Sequence, residues 1–238
     1  MERMKLNIEE ANRALVEKPM LATSAERLLI LNEIKSQYRD LPQPLQFSKH
    51  LSILLARVST PIEPYDLIAG RCVDRLLNKE EEQIFAAFVD APDNPSNYSL
   101  MSAGHCTYSW ELLATEGLVG LHARAKQRLM EVQTEEERVF LTGALEAYEA
   151  IAAYLLRYSE AAAQKGMHEL ADNLRRAATE RPNSFAVALQ LLWTVTFINC
   201  AYVTKNPTLT VGRLDQILYP FYRADLEKGI LTDRKSVV

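Results

Sequence analysis

From Phe185 to Ile198 the chain reads FAVALQLLWTVTFI, and only Gln190, Thr194 and Thr196 interrupt it with polar atoms. A helix this apolar has no face to offer water, so the neighbouring segments have to be arranged around it. Ser184 precedes it with a side-chain oxygen suited to the first free N–H groups, which predicts an N-cap. The stretch Thr194–Tyr202 is rich in β-branched and aromatic residues and is compatible with continued helix or with strand. Asn206-Pro207 then breaks the chain, Thr208–Val211 reads as extended, and Gly212 permits a bend. Helical spacing resumes from Asp215 to Lys228 through Leu218, Phe221, Tyr222 and Leu226, with Gly229 as the stop.

The 238 residues suffice for one large domain or two small ones. A formal net charge of −4 argues against general affinity for nucleic acid or an anionic membrane. No apolar run is expected to reach membrane-span length, and MERMKLNIEEANRAL lacks a signal-peptide core. Cys72, Cys106 and Cys200 lie far apart with no metal-type spacing, which suits a reduced, cytoplasmic protein without a metal site. Only eight glycines favour a mainly helical chain.

Upstream, Ser24 is a candidate N-cap for a helix through Leu28, Leu31, Ile34 and Tyr38, ended by Pro42 and Pro44. Gln46 to Thr60 predicts another apolar helix. The prolines of TPIEPYDLIAG predict an extended approach to a short strand, Tyr65–Ala69, closed by Gly70. Asp90–Ser99 is a turn-rich loop. After Gly104-His105 a helix follows, interrupted at Gly117. Thr134 and Glu137 form a capping-box pattern before a long helix through Leu156 and on to Ala163. Gly166 separates this helix from a second one over HELADNLRRAATE. No internal repeat or low-complexity linker is present.

The run GRLDQILYPFYRADLEKGILTD resembles the signature of glycyl radical enzymes, the pyruvate formate-lyase superfamily, where Gly-Arg-x-Asp-Gln-x-x-x-Pro-aromatic-Tyr follows the first core strand. The segment Pro64–Gly70, and Gly104-His105 before a helix, are similar to further family segments. The resemblance implies that residues 1–232 are the N-terminal portion of such an enzyme's α/β barrel. They would be truncated, mainly α with a few short strands, and Phe185–Val211 would expose apolar surface and open strand edges. The tail 233–238, DRKSVV, matches what a common sequencing adapter encodes in one frame and is expected to be a scar.

The family's chemistry uses a backbone glycyl radical, installed by a radical S-adenosylmethionine activating enzyme, and a cysteine that forms a thiyl radical. A shielded pocket protects the intermediates. Neither the radical-glycine motif nor the cysteine motif occurs in these 238 residues. The resemblance therefore implies a fragment with no catalytic residue of its own and no bound cofactor, inactive alone. Its parent, expected to be a homodimer with no nucleic-acid or membrane partner, would cleave a C–C, C–O or C–N bond of a small polar substrate.

His105 matches a position that is arginine in pyruvate formate-lyase proper and histidine in dehydratase-type members, where it contacts a substrate hydroxyl. Thr208 stands where dehydratase-like members carry a hydroxyl-bearing serine, and Thr210 lies beside it. These three residues are the expected substrate-binding set, with the His105 and Thr208 side chains on the order of 5–8 Å apart in one concave pocket. Read by residue type alone, His105 is equally a cap or a packed ring, and the threonines are packing residues of a strand. Arg213 and Asp215 are expected to support the pocket as a structural pair, with Arg213 turned into a buried polar network. These departures from pyruvate formate-lyase proper favour a lyase or dehydratase over formate C-acetyltransferase. The alternative from another class is a helical interaction or scaffold domain, suggested by the Ala-rich helices from Thr134 to Thr179.

Overall fold

The computed structural model describes residues 25–71, 78–89, 107–204 and 208–232. Within them the helices are α1 (Ala25–Ile34), α2 (Gln43–Arg57), α3 (Lys79–Val89), α4 (Trp110–Glu131), α5 (Glu135–Gln164), α6 (His168–Thr179), α7 (Phe185–Ile198) and α8 (Leu214–Glu227), with a π turn, Asn199–Val203, after α7. The apolar helix α7 is packed by α4, α6 and α8. Its Val187, Ala188, Leu191 and Leu192 are buried, as the sequence requires. Ser184 caps it by accepting the Val187 N–H at 3.4 Å.

The polar atoms inside α7 are all satisfied. Gln190 Nε2 donates to the Ala69 carbonyl at 2.9 Å and to Thr194 Oγ1 at 3.1 Å. Gln190 Oε1 accepts the Ala69 N–H at 2.9 Å, and Thr194 donates to the Gln190 carbonyl at 2.8 Å. One helix side chain thus takes both backbone groups of Ala69, which a neighbouring strand would otherwise pair.

That exchange explains a correction. No β-strand occurs among the described residues, and the expected strand Tyr65–Ala69 is a series of turns. The Glu63 N–H donates to Asp66 Oδ2 at 2.8 Å and the Asp66 N–H to the Glu63 carbonyl at 3.0 Å, which closes a turn where the strand was to begin. Thr208–Val211 is extended, with a single bridge residue at Leu209 and no ladder, so the open strand edges expected over Phe185–Val211 are absent from the described part. The stretch Thr194–Tyr202 continues α7 and passes into the π turn.

α5 packs along α2, α4 and α6. Thr134 Oγ1 accepts the Glu137 N–H at 3.2 Å and caps its start. At its end Gly166 adopts φ +73°, while the Met167 and Gly166 N–H groups reach the Ala162 and Ala163 carbonyls, both at 2.9 Å. These are the two bonds of a Schellman stop. α8 ends the same way at Gly229, with the Ile230 N–H on the Asp225 carbonyl at 2.9 Å. Gly117 holds φ +64° and ψ −178° and kinks α4 where it crosses the loop before α7. A Cβ there would stand 2.8 Å from Pro182 Cδ.

Two other expectations change. α1 stops at Ile34, and Tyr38, with φ +63°, lies in the following turns rather than on the helix. Pro42 and Pro44 do not end α1; they start α2, as its N-cap and within its first turn, where a missing N–H costs nothing. The proposed cap Ser24, the loop Asp90–Ser99 and the tail 233–238 lie outside the described residues. Glu135–Gln164 and Phe185–Val203 are, contrary to expectation, long and apolar enough by length and composition to span a bilayer. The second is the core helix just described. The first packs one face on three helices and is hydrogen-bonded there through Glu146, while most of its apolar window is not buried.

Gly143 brings α5 close against the backbone of α2: a Cβ there would lie 2.7 Å from the Pro44 carbonyl oxygen. Helix propensity alone predicts that Gly143→Ala stabilises by about 1 kcal/mol. The backbone contact reverses the sign, and the variant is expected to be about 1–3 kcal/mol less stable in urea unfolding.

Beside it, Glu146 accepts from Ser48 Oγ and Lys49 Nζ, each at 2.6 Å. Burial raises this carboxyl, but the Lys49 and Ser48 hydrogen bonds and the Lys49 charge outweigh burial and hold it below the ordinary glutamate value. A carboxyl lowered on folding stabilises above its unfolded pKa and loses that contribution as pH falls through its folded one. Stability should therefore fall on acidification below about pH 4, and fall less steeply in Glu146→Gln.

Candidate functional site

Three segments far apart in sequence meet at the C-terminal end of α7. Trp110, the first residue of α4, is buried, and its Nε1–H donates to the Thr210 carbonyl at 2.8 Å. Thr107 Oγ1 donates to the same oxygen at 3.2 Å. The neighbouring Tyr108 hydroxyl donates to Asn199 Oδ1 at 2.8 Å, and its ring meets Trp110 edge-on, centroids 5.3 Å apart. Thr107–Trp110 is thereby tied both to the extended segment Thr208–Val211 and to the π turn. In the turn the Thr204 N–H reaches the Asn199 carbonyl at 3.1 Å. The π turn closes α7, and the chain leaves it extended at Thr204. From the other side the buried Arg27 of α1 donates through Nε to the Tyr202 carbonyl at 3.0 Å, and burial pushes its guanidinium down.

The extended segment alternates. Leu209 and Val211 are half-buried against the core, while Thr208 and Thr210 are exposed. A period of two places both threonines on one face, away from the core, with Trp110 fixing the peptide that follows Thr210. His105 lies outside the described residues, so its separation from Thr208 does too; what is described is the chain two residues on, at Thr107, bonded to Thr210. Cys200 stands in the π turn with its thiol pushed up by burial, against a smaller opposing pull from Asn199.

Arg213 and Asp215 do pair, with Arg213 Nη2 donating to Asp215 Oδ2 at 3.2 Å and Nε to Oδ1 at 3.3 Å. The expected buried network is not formed: the two side chains are 70% and 69% exposed. An ion pair in water needs no further partner, so the guanidinium stays at the surface. The segment Tyr65–Gly70 meets α7 through Trp193, whose Nε1–H donates to the Gly70 carbonyl at 3.0 Å. Next to it Asp66 is buried against Arg71; burial pushes its carboxyl up despite the Arg71 charge. A cleft of about 390 Å³ opens at the other end of α7 and contains neither threonine.

The sequence assigns no partner to Trp110, Tyr108, Asn199 or Gln190. Their partners are backbone or amide groups 91 to 121 residues away, and no local pattern announces such pairings. The one available signal was an indole and a phenol two residues apart at a helix entrance, side chains that bury only with a partner for N–H and O–H.

The model of the family described as "Pyruvate formate lyase-like" matches residues 73–237. The isethionate sulfite-lyase of Bilophila wadsworthia (strain 3_1_6) is 26% identical over 226 residues, covering 84% of this chain and 27% of the relative. The (2S)-3-sulfopropanediol dehydratase of Klebsiella oxytoca is 27% identical over 183 residues, covering 68% of this chain and 22% of the relative. The solved structure of a glycyl radical enzyme from Archaeoglobus fulgidus superposes with a TM-score of 0.74 at 19% identity, over 98% of this chain and 38% of that one. The chain spans about a quarter of the length of these curated relatives. With its GRLDQILYPFY run and its helical frame both accounted for, the chain belongs to the pyruvate formate lyase-like family, the glycyl radical enzymes.

Proposed function

We propose that this chain is the N-terminal portion of a cytoplasmic glycyl radical lyase or dehydratase and supplies part of the pocket that grips a hydroxyl-bearing substrate. The observation that carries the reading is the clamp on Thr210. Trp110 and Thr107 hold its carbonyl, so the segment that follows His105 lies against the segment that presents Thr208 and Thr210. A hydroxyl substrate would accept from or donate to the two threonines, and the His105 imidazole would complete the grip or assist a leaving hydroxyl as a general acid. Two relatives support the choice of bond cleavage in a small polar molecule: one is named a sulfite-lyase, the other a dehydratase. Arg213 and Asp215 form a structural pair at the start of α8 and take no part in substrate contact.

The radical and thiyl groups would come from parts of the whole enzyme that these 238 residues do not contain, after activation by a radical S-adenosylmethionine partner; the whole enzyme would be a homodimer. This chain on its own is inactive. Anaerobic incubation with such an activating enzyme should leave no glycyl doublet in the electron paramagnetic resonance spectrum, and a stable doublet would refute the assignment.

The site itself is tested by placing a nitroxide at position 105 in a chain whose other cysteines are replaced by serine. The Thr208 and Thr210 methyl resonances should broaden strongly. Sharp resonances at both would remove His105 from the substrate set.

A further inference from the structure

The cleft at the N-terminal end of α7 is separate from the Thr208–Thr210 face. It opens beside Ser184, whereas the π turn begins at Asn199, roughly 22 Å away along the helix at ~1.5 Å per residue. Its walls come from α6 (Glu169, Asp172, Asn173, Arg176), the α7 entrance and the end of α8. It is a half-open cleft of about 390 Å³, with room for a small molecule.

Asp225 lines the cleft and is 2% exposed. Its Oδ2 accepts the Phe185 N–H at 2.8 Å, which places a carboxylate at the positive end of α7. Its Oδ1 is buried and has no hydrogen-bond partner among the described residues. An orphaned buried acceptor on a carboxylate is costly, and a donor arriving from the cleft would remove that cost.

The charges around the cleft decide what kind of donor. Arg176 is spent: it donates to Asn183 Oδ1, lies 3.5 Å from Glu180 and 3.9 Å from Asp172. The helix N-terminus, usually a place for anions, is already filled by Asp225 itself and by Ser184. Glu169 adds a second carboxylate with no ion pair among the described residues, against one exposed cation, Lys228, on a flexible stem. Ala186, Ile230 and Leu231 offer apolar contact for a short hydrocarbon.

From this balance we infer that the cleft binds a small organic ammonium ion, its N–H donors directed to Asp225 and Glu169 and its hydrocarbon stem against Ile230 and Leu231. The site has no part in the substrate reading above and stands or falls independently of it.

Isothermal titration of the 238-residue chain with propylammonium chloride tests this, with sodium propionate as the charge-reversed probe of equal stem length. Saturable binding of propylammonium and none of propionate is expected. Glu169→Gln should weaken binding at least threefold, and Lys228→Gln should strengthen it by removing the like charge. Asp225→Asn should abolish it in a chain that circular dichroism shows to be folded. If loss of the α7 cap unfolds that variant, the exposed positions 169 and 228 carry the test alone. No saturable binding would mean that water alone satisfies Asp225, and would overturn the inference. So would equal binding of propionate, or affinity unchanged in Glu169→Gln.

Discussion

The two-way hydrogen bond between Gln190 and Ala69 is the interaction on which the arrangement turns. α7 is nearly all apolar and has to be enclosed, yet it carries an amide in its buried face. Left unpaired, that amide would cost several kcal/mol. Paired with both backbone groups of Ala69, it fixes the loop Thr60–Gly70 against the helix and gives that loop the bonds a sheet neighbour would have supplied. Trp193 repeats the device on Gly70, and Trp110 with Thr107 repeats it on Thr210. In each case a helical or near-helical side chain completes backbone groups of an extended or turning segment. The described part of the chain therefore reaches a mainly helical fold without a β-ladder.

What could be read from the sequence was what depends on neighbours a few residues away. Ser184 and Thr134 cap their helices, Gly166 and Gly229 end theirs, and Gly117 kinks α4, because each feature is set by one residue's own conformational freedom and its near neighbours. What could not be read depends on distant partners. Tyr65–Ala69 has the composition of a strand but closes into turns, because Asp66 bonds back to Glu63 and Gln190 takes Ala69. Pro42 and Pro44 look like the end of one helix and are the beginning of the next, a choice made by how α2 packs under α5. Arg213 was expected in a buried polar network with an acidic partner; the ion pair it makes with Asp215 is local and leaves both in water.

The candidate face was half legible. The resemblance pointed to Thr208 and Thr210, and alternation along Thr208–Val211 puts their hydroxyls on one side. What holds that side in place, the indole of Trp110 and the phenol of Tyr108, carries no pattern in sequence because the partners lie 100 and 91 residues away. α7 ties the two ends of the molecule together: its N-terminus receives the carboxylate of α8 through Asp225, and its π turn receives Tyr108 and Arg27.

The Trp110 clamp is open to direct observation, since the chain contains only two tryptophans. Trp110 is 4% exposed with its N–H on Thr210, whereas Trp193 is 42% exposed. Exchange of the two indole N–H protons with deuterated water, followed by NMR and assigned with Trp193→Phe, distinguishes them. The account predicts that the Trp110 indole proton exchanges far more slowly than that of Trp193. Equal, rapid exchange of both would contradict it, because Thr210 would then not be held and the candidate site would have no fixed backbone.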